Sequence, residues 1–368
     1  MEWGRHKIIV SVTNDLVTDQ RVHKVCTSLL NAGYEVLLVG RKLKHSPTVT
    51  REYSTHCMRL LFNRSFFFYA EYNIRLFFYL LFSNVDVLLA NDTDTLLANY
   101  LVAKMRRKPL VFDAHELFPE VPEVVNRRFV KAFWTKIEDW IFPHLKYSYT
   151  VCGSIANYYN TSYQMNMQVV RNIPLASSCT ESAHSPIESQ GKHVLLYQGA
   201  VNVGRGIEWI IDAMPYLEDY VFYIAGDGDV MQEMKERAAG KNVQDRVFFL
   251  GRIPFETLSD YTACADIGIN LLENRGLSYY YSLPNRIFDF IHHHIPVLAT
   301  DFPEIRQIIT TYSIGELVNR YEPEYLASMI RGMIAKGKNE DGFIAANKEL
   351  AWENEAKILL LLIKHTNC

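Results

Sequence analysis

Short apolar strands alternate with amphipathic helices along this chain, and the alternation occurs in two separate series. The first series opens with a strand at HKIIVSVTND, continues with a helix that Asp19 caps and Gly33 ends, and proceeds to a strand at YEVLLVG. Strand, helix and strand in succession form the unit from which parallel sheets are built. The second series begins at HVLLYQGA and repeats the unit as far as IPVLAT. The pattern predicts an α/β protein with two Rossmann-like, doubly wound sheets.

A polar, serine-rich stretch at residues 176–191 separates the two series and has the composition of a linker. The chain has 368 residues, which is more than one hydrophobic core usually supports. We therefore predict a first domain over residues 1–175 and a second domain over residues 176–351. The last segment, NKELAWENEAKILLLLIKH, predicts one helix, whose part from about 352 to 368 crosses back to the first domain. Such sheets bind ligands at the carboxyl ends of their strands, so two facing domains would form a cleft.

Charge is distributed unevenly between the two halves of the chain. Residues 1–175 contain 21 Lys and Arg against 15 Asp and Glu, whereas residues 176–368 contain 17 against 26. The net charge of −3 argues against nucleic-acid binding, while the basic first half favours an anionic partner or an anionic membrane surface. The six cysteines include no CxxC pair, and the N-terminus does not read as a secretory signal. We expect a cytoplasmic protein, with peripheral contact at the inner face of the membrane as a further hypothesis.

One aromatic stretch, SFFFYAEYNIRLFFYLLFSN, invites comparison with a membrane span. Glu71, Asn73 and Arg75 interrupt it near the middle, whereas a spanning helix needs about 20 mostly apolar residues. We favour a helix that is buried by an aromatic face, because an aromatic stripe at helical spacing usually belongs to a core. The alternative is a helix that also touches lipid, with Arg59, Arg64 and Arg75 near head groups.

Glycines and cations gather at the strand ends of the second series. The loop YQGAVNVGRG carries three glycines and Arg205 where a helix begins, and the loops AGDGDV and FLGRIP follow the next two strands. Glycines permit close backbone approach, and helix N-termini attract phosphate. The segment LPNRIFDF adds Arg286 at another helix start and Asp289 one turn deeper. These residues predict a nucleoside-diphosphate site in which Asp289 accepts both ribose hydroxyls.

As a set, these segments resemble a known family. TDQRVHKVCTSLLNAGYEVLLVGR, FDAHE, RNIP, YQG…GRG, AGDG, FLGRIP and LPNRIFDF follow the order found in retaining glycosyltransferases of GT-B architecture, the group that includes bacterial polysaccharide mannosyl- and glucosyltransferases. The resemblance covers nearly the whole chain. It implies two Rossmann-like domains that face a cleft, with the donor bound by the second domain and the acceptor by the first.

The resemblance also assigns residues to the donor. The family's Gly-Arg…Lys-Gly loop falls on Gly199 to Gly206, with Arg205 in place of the phosphate-binding Lys and Ala200 in place of the Arg. The family's Glu-x7-Glu motif falls on Tyr281 to Asp289, so that Asp289 matches the ribose-binding second Glu. His294 stands where the family has a glycine. The remaining residues expected to contact the donor are Gly226, then Arg252 and Ile253 where the family holds the base, and Leu283, Pro284, Asn285 and Arg286 near the sugar and phosphates.

The first domain is expected to contribute catalytic and acceptor-binding residues. His115 and Glu116 end the strand PLVFDAHE, and in similar enzymes a histidine at this strand end contacts the donor sugar. The alternative is that His115 is only a hydrogen-bonded strand-end residue. The first strand end offers four candidates for acceptor binding, although Asp19 also fits a helix cap: Asn14, Asp15, Asp19 and Arg21.

The implied reaction moves a sugar from a nucleotide diphosphate to a saccharide or lipid-linked saccharide acceptor, with retention of configuration. Negative charge builds on the leaving diphosphate, and Arg205, Arg286 and helix N-termini would stabilise it without a metal or another cofactor. A role in surface-polysaccharide assembly follows as a hypothesis from the basic, aromatic-rich first half.

Three other readings stay open from the residues. Asp92–Thr93–Asp94 and Asp227–Gly228–Asp229 are Asp-x-Asp pairs, which a metal-dependent transferase would use. Ala200, Tyr281 and His294 would suit a catalytically silent nucleotide-sugar-binding subunit, and a sugar-nucleotide epimerase would look similar. The run of histidines from His292 to His294 predicts no metal site, because successive helix residues point in different directions.

Overall fold

The computed structural model describes residues 6–17, 19–43, 48–175, 186–189 and 191–367, and it divides the chain into two compact units. The first unit comprises residues up to Asn172 together with residues from Glu355 onward, and the second comprises Ile173–Asn354. Most of the expected linker, and the first five residues of the N-terminus, lie outside the described residues.

The first unit contains a parallel sheet of seven strands in the order β3-β2-β1-β4-β5-β6-β7. Its strands are β1 (Lys7–Asp15), β2 (Glu35–Arg41), β3 (Ser54–Met58), β4 (Val87–Asn91), β5 (Leu110–Ala114), β6 (Tyr147–Thr150) and β7 (Gln168–Val169). Its helices are α1 (Gln20–Asn31), α2 (Ser65–Phe82), α3 (Thr93–Arg106), α4 (Pro122–Val125), α5 (Arg128–Ile141) and α6 (Gly153–Tyr163). The strand order reverses between β1 and β4, where such sheets bind ligands.

The second unit contains a parallel sheet of six strands in the order β10-β9-β8-β11-β12-β13. Its strands are β8 (His193–Gln198), β9 (Tyr220–Ala225), β10 (Val247–Gly251), β11 (Ile267–Asn270), β12 (Val297–Thr300) and β13 (Gly315–Val318). Its helices are α7 (Ile207–Ala213), α8 (Met231–Gly240), α9 (Phe255–Thr262), α10 (Leu277–Tyr280), α11 (Asn285–His292), α12 (Pro303–Tyr312), α13 (Pro323–Lys336) and α14 (Glu340–Glu349). The last helix, α15 (Trp352–Lys364), begins in this unit and continues into the first. The predicted class, two doubly wound parallel sheets, is confirmed.

Both faces of the second sheet are buried, which explains why its strands are apolar throughout. Leu195 and Tyr197 of β8 pack into the hydrophobic cluster on one face, whereas Val194 and Leu196 pack into the cluster on the other face. Alternate strand residues point to opposite faces, so a strand that is covered on both sides reads as a continuous apolar run. Helix α11 joins the second cluster through Phe290, which leaves β11 room only for glycine at Gly268.

Two local predictions in the chain have clear outcomes. Asp19 caps α1, because its side chain accepts a hydrogen bond from the Val22 N–H, and Gly33 follows the helix with a φ of 92°. The prediction of a single long C-terminal helix was wrong, because the helix is interrupted between α14 and α15. The break is stabilised by Asn354, whose side-chain amide donates to the carbonyls of Lys348 and Glu349 at the end of α14.

Helix α15 returns to the first unit, as predicted. Its side chains Leu359 and Ile363 are fully buried. Glu355 accepts a hydrogen bond from the Arg171 N–H at 2.7 Å and forms an ion pair with the Arg171 guanidinium at 3.3 Å. At the far end, Tyr147 donates to the His365 carbonyl at 2.9 Å.

Helix α2 buries one face and exposes the other. Phe68, Tyr72, Leu76 and Leu80 are buried at successive helical turns, as the preferred interpretation of a buried aromatic face requires. The opposite face exposes other large apolar side chains, which that interpretation did not foresee: Phe66, Phe67, Ile74, Phe78 and Phe82. Among the described residues, no helix combines the length and the apolar composition needed to cross a membrane.

Candidate active site

His115 lies between two carboxylates at the carboxyl ends of β4 and β5. Its Nε2 is 3.1 Å from Asp113 Oδ2, and its Nδ1 is 3.1 Å from Asp92 Oδ2. Asp92 also accepts the His115 backbone N–H at 2.8 Å. Asp92 holds a φ of 57°, an uncommon value for a residue with a side chain, and this strained conformation points its carboxylate at the imidazole.

These carboxylates fix the charge of the histidine. Burial lowers the pKa of His115, but Asp92 and Asp113 outweigh it and hold the pKa well above its ordinary value. His115 is therefore an imidazolium at neutral pH. Its side chain stays 18% exposed, so a cation whose two ring nitrogens contact carboxylates is presented at the sheet edge.

Arg21 holds Asp113, one of the two carboxylates that contact His115. Its guanidinium makes a bidentate contact with Asp113, at 3.0 Å from Nε and 2.7 Å from Nη2, and its Nη1 donates to the Val170 carbonyl. Burial raises the pKa of Asp113, but Arg21 and His115 lower it to about 2. Arg21 is only 4% exposed, so the structure gives it an internal role beside its predicted contact with an acceptor.

The other predicted residues of the first unit lie around the same sheet edge. Asn14 is exposed and donates to Asp19 at 3.0 Å, while Asp19 is engaged as the cap of α1. Asp15 accepts from the Val17 N–H. Glu116 is exposed directly after His115, with its backbone carbonyl accepting from Tyr159. Their predicted contacts with the acceptor and the sugar stay predictions.

Two further carboxyls below this edge are buried and form no ion pair with a cation of the described residues. Burial raises the pKa of Asp94 to about 8, although Thr13 donates to it at 2.6 Å. Burial likewise raises the pKa of Glu138 to about 8, although Thr93 donates to it at 2.9 Å. Both carboxyls are therefore largely protonated at neutral pH. The first unit loses stability as the pH rises into the range where they ionise.

We expect Glu138→Gln to stabilise the protein in alkali. A folded-state pKa raised above the unfolded value contributes stability at low pH that is lost as the pH rises toward about 8. The amide keeps an acceptor for Thr93 and carries no charge to bury. Chemical denaturation at about pH 5 and about pH 9 should show a gain for the variant only at the higher value. Equal effects at both values would contradict the protonated carboxyl.

In the second unit, glycines allow the strand-end loops to touch. The Gly199 N–H donates to the Ala225 carbonyl, and the Gly226 N–H donates to the Gly251 carbonyl. A Cβ on Gly226 would stand 1.8 Å from the Gly199 carbonyl oxygen. Gly206 precedes α7 with a φ of 68°, and a Cβ there would stand 2.5 Å from the Leu271 Cβ. The ends of β8, β9 and β10 thus form one continuous backbone surface.

Gly226→Ala is expected to separate these loops and abolish nucleotide binding. The added Cβ meets backbone, which cannot move aside as a flexible side chain can. Gly332→Ala in α13 is the matched control, because nothing lies within 4 Å of its Cβ position, and it should stabilise the helix by about 1 kcal/mol. Thermal shifts with nucleoside diphosphates compare the two variants. A normal shift for Gly226→Ala would contradict the role of the loop contact.

Arg205 and Arg286 place two cations beside this surface. The Arg286 guanidinium lies 4.4 Å over the Tyr197 ring, and a Cβ on Gly199 would stand 3.8 Å from its Cζ. The Arg205 guanidinium lies 4.8 Å over the Tyr279 ring. Burial and, more weakly, the nearby charge of Arg205 lower the pKa of Arg286.

Neither arginine is ion-paired with a carboxylate of the described residues. Within the same part of the chain, the buried Arg286 Nη1 and Arg205 Nε have no hydrogen-bond partner. Arg286 is 7% exposed, and a buried cation that forms no ion pair is costly. The buried Arg286 and the half-buried Arg205 together favour an anionic ligand.

Asp289 is oriented by a chain of side chains. Thr262 donates to the Gln198 Oε1 at 2.9 Å, and the Gln198 Nε2 donates to Asp289 Oδ2 at 2.7 Å. Gln198 is the last residue of β8 and is buried. The contact ties Asp289 of α11 to the strand whose loop carries Arg205, so the carboxylate is held in one orientation. Ribose binding by Asp289 stays a prediction.

The remaining predicted donor residues occupy the same sheet edge. Arg252 is exposed directly after β10, whereas Ile253 and Leu283 pack partly against the core. Pro284 precedes α11 without a side-chain cap, and Asn285 is exposed at its first turn, so backbone N–H groups are available there.

The departures from the family pattern have structural partners. The Ala200 carbonyl accepts from the Tyr197 hydroxyl at 2.6 Å, and Tyr281 packs against Tyr280. His294 adopts a φ of 56°, the left-handed conformation that glycine favours. It pairs with Glu340 at 2.7 Å and stacks on Phe343, and these contacts offset the backbone strain.

The candidate metal motifs do not gather into a cluster. Asp92 contacts His115, Asp94 contacts Thr13, and Asp227 accepts from the Gly228 N–H. The three successive histidines make separate contacts: His292 with the Leu350 carbonyl, His293 with Ser259 and His294 with Glu340. Within the described part of the chain, no three His, Cys, Asp or Glu side chains are arranged to hold a metal ion.

Several site residues escaped the sequence prediction. Tyr197 and Tyr279 support the two arginines, and Gln198 orients Asp289. Nothing in the sequence singles out these three residues. Asp113 had a usable signal, because it precedes His115 by two positions at a strand end and so shares its side of the sheet.

The comparisons with known proteins agree with this architecture. Residues 19–175 match the family model described as Glycosyltransferase Family 4, and residues 192–336 match the one described as Glycosyl transferases group 1. Alpha-monoglucosyldiacylglycerol synthase of Streptococcus pneumoniae is 29% identical over 175 residues, which are 45% of this chain and 37% of that protein. The match therefore spans well under half of that relative's length.

Solved structures share the fold over the whole chain. Sucrose-phosphate synthase from Thermosynechococcus elongatus superposes with a TM-score of 0.78 at 16% identity, covering 98% of this chain and 99% of that one. Anabaena HepE in complex with UDP-glucose superposes with a TM-score of 0.75 at 12% identity, covering 98% and 99%. The chain is thus a member of the glycosyltransferases with the GT-B fold, in which a Family 4 domain precedes a group 1 domain.

Proposed function

We propose that this protein transfers a hexosyl group from a nucleoside-diphosphate sugar to a saccharide or a lipid-linked saccharide, with retention of configuration. One observation carries the proposal: Arg205 and Arg286 lie together beside the glycine-rich strand ends of the second unit, and neither forms an ion pair with a carboxylate of the described residues. A diphosphate supplies the missing charge, and helix α11 starts beside it with uncapped N–H groups.

The chemistry follows from where charge develops. The bond from the anomeric carbon to the diphosphate oxygen breaks, and the bonding electrons leave with the diphosphate. Arg286 and Arg205 stabilise this oxygen more strongly as its charge grows, which is what lowers a barrier. The acceptor hydroxyl attacks from the same face, and its proton passes to the departing diphosphate oxygen. This arrangement uses the two arginines in place of a divalent metal ion.

His115 has a distinct proposed role. Both of its ring nitrogens contact Asp92 and Asp113, so as an imidazolium it faces the transferred sugar with its ring edge and cannot act as a base near neutral pH. Because it already holds its proton, we assign it to sugar positioning and not to proton abstraction.

We further propose a membrane-bound acceptor and a cytoplasmic location, in surface-polysaccharide or glycolipid assembly. The basic first half of the chain supports this, and so does the printed name of the streptococcal relative, which refers to a glucosylated diacylglycerol.

A binding and turnover screen tests the proposal. Thermal shifts with the common nucleoside diphosphates, in the presence of EDTA, should identify one nucleoside diphosphate that raises the melting temperature. At a ligand concentration of 100 times Kd, the folded state should gain about 2.7 kcal/mol of stability. Incubation of the matching sugar nucleotides with membrane extract should release the free nucleoside diphosphate and glycosylated lipid. Binding without release would support the silent subunit, and an isomerised sugar nucleotide would support the epimerase.

Asp289→Ala is expected to weaken the affinity for that nucleoside diphosphate about tenfold or more, because a bidentate contact to ribose is lost. Asp260→Ala is the control, since Asp260 lies on α9 outside the predicted donor residues. Calorimetry with the nucleoside diphosphate provides the comparison. Equal affinities for both variants would remove Asp289 from the ribose site.

A further inference from the structure

The first unit exposes a group of large apolar side chains that the proposed reaction does not use. Two precede α2, two begin it, and two lie on α5. We call this group the aromatic platform, and its members and exposed fractions are Leu61 (80%), Phe62 (50%), Phe66 (62%), Phe67 (62%), Phe129 (94%) and Phe133 (43%). Exposed apolar groups of this size on one surface indicate an interaction site.

Ring contacts join four members of the platform, and Phe129 lies one helical turn before the fourth of them, Phe133. Phe62 and Phe67 lie 5.4 Å apart between ring centroids, Phe66 and Phe67 lie 6.0 Å apart, and Phe66 and Phe133 lie 6.1 Å apart. The last contact joins α2 to α5, so the rings form one surface across two helices.

A carboxylate of α2 anchors the loop that carries two members of the platform. Glu71 accepts the backbone N–H groups of Leu61 and Phe62, each at 2.9 Å, and pairs with Arg75 at 2.7 Å. These bonds fix the loop that carries two strongly exposed apolar side chains. A loop that merely connected β3 to α2 would need no such anchoring of apolar residues in water.

Positive charge predominates in the segments that carry the rings. Residues 59–75 and 127–140 together contain seven Lys and Arg against three Asp and Glu. Arg64, Arg127 and Arg128 are exposed beside the platform residues in sequence. Aromatic side chains with a basic rim are the composition of helices that lie in the interface of an anionic bilayer.

The exposed face of α2 extends this surface beyond the platform. A groove of about 850 Å³ runs along its second half, with Ile74, Phe78 and Phe82 on one side. Arg59 and Arg75 also line it. Apolar and cationic groups therefore occur together along the whole length of the helix, as the amphiphilic surface of a bilayer requires.

We propose that the aromatic platform docks this protein on an anionic lipid bilayer, with the rings in the acyl boundary and the arginines at the head-group phosphates. The inference deepens the proposed function, since it rests on the acceptor being membrane-bound and names the surface that reaches it. The excess of Lys and Arg near the rings favours an anionic bilayer as the occupant.

Vesicle flotation of the full chain tests the platform. We expect flotation with vesicles of equal parts phosphatidylcholine and phosphatidylglycerol at low salt, release at high salt, and little flotation with phosphatidylcholine alone. Phe66→Ser with Phe129→Ser, and separately Arg64→Glu with Arg128→Glu, should each lower the bound fraction at least about tenfold. The matched control combines Ile344→Ser with Lys348→Glu on exposed positions of α14, and should float like the unmodified protein.

Two readouts separate this inference from the proposed function. The thermal shift with nucleoside diphosphate should be the same in all variants, which shows that each variant folds and binds donor. Flotation that is unchanged in the platform variants, or absent from the unmodified protein, would overturn the docking surface while leaving donor binding intact. Loss of self-association in Phe66→Ser with Phe129→Ser, without any vesicle binding, would identify a protein interface and also overturn it.

Discussion

Replacing Arg286 with methionine is expected to lower kcat/KM about 100-fold to 1000-fold without destabilising the protein. The loss of rate follows because a preorganised cation beside the developing diphosphate charge is removed. The free energy of unfolding should stay the same or rise by up to about 2 kcal/mol, because the variant no longer buries an unpaired guanidinium. Opposite effects on rate and stability are typical of a residue kept for function.

The matched control separates this role from the stacking contact with Tyr197. Arg320 lies 4.2 Å over the Tyr325 ring in the same unit, on the surface. Arg320→Met removes a similar cation–π contact, so we expect unchanged kcat/KM and a loss of about 0.5–1 kcal/mol at most. Steady-state kinetics and chemical denaturation of both variants give the four values. An Arg286→Met variant that keeps its activity, or that unfolds readily, would contradict the assignment.

Arg21→Met is expected to destabilise the first unit by about 3–5 kcal/mol, because it leaves Asp113 buried without its bidentate partner. The second unit offers a control pair of the same chemistry. Arg237 makes a bidentate contact with Asp212, but its side chain is 37% exposed, so Arg237→Met should cost no more than about 1 kcal/mol. Urea denaturation compares the two. Equal losses would show that burial does not set the strength of these pairs.

The same network sets a pH window for stability. The pKa of Asp113 is depressed to about 2, so its contribution is present above the unfolded value and is lost as the pH falls through about 2. The pKa of His115 is raised, so its contribution is present below the unfolded value and is lost as the pH rises through the folded value. In Arg21→Met the acid limit should move upward, because Asp113 then ionises less readily.

Much of the architecture follows from local sequence patterns. The two strand–helix series predicted both sheets, because strands covered on both faces must be apolar throughout and their connecting helices must be amphipathic. The strand-end loops of the second unit were also predictable, since glycine at Gly199 and Gly226 answers a steric demand of the backbone. The break before α15 was not, because the residues around Leu350 and Ala351 have ordinary helical preferences and the turn depends on tertiary packing.

The electrostatics of the site depend on distances in the fold that the sequence does not reveal. Arg21 and Asp113 are 92 positions apart, and only the sheet brings them together. The sequence marked Arg21 as a residue for the acceptor because its strand-end position alone could be seen. The platform was hidden for a related reason. Composition identified α2 as aromatic, but which rings face water depends on what packs against the other face.

The central claim is that a nucleoside diphosphate binds to Arg205 and Arg286 in the second unit without a divalent metal. Calorimetric titration of the best-bound nucleoside diphosphate, with EDTA present, tests it most directly in the unmodified protein and in Arg286→Met. We predict full binding to the unmodified protein and an affinity at least about 100-fold lower in the variant. Binding that needs magnesium or manganese, or that is the same in Arg286→Met, would contradict the claim.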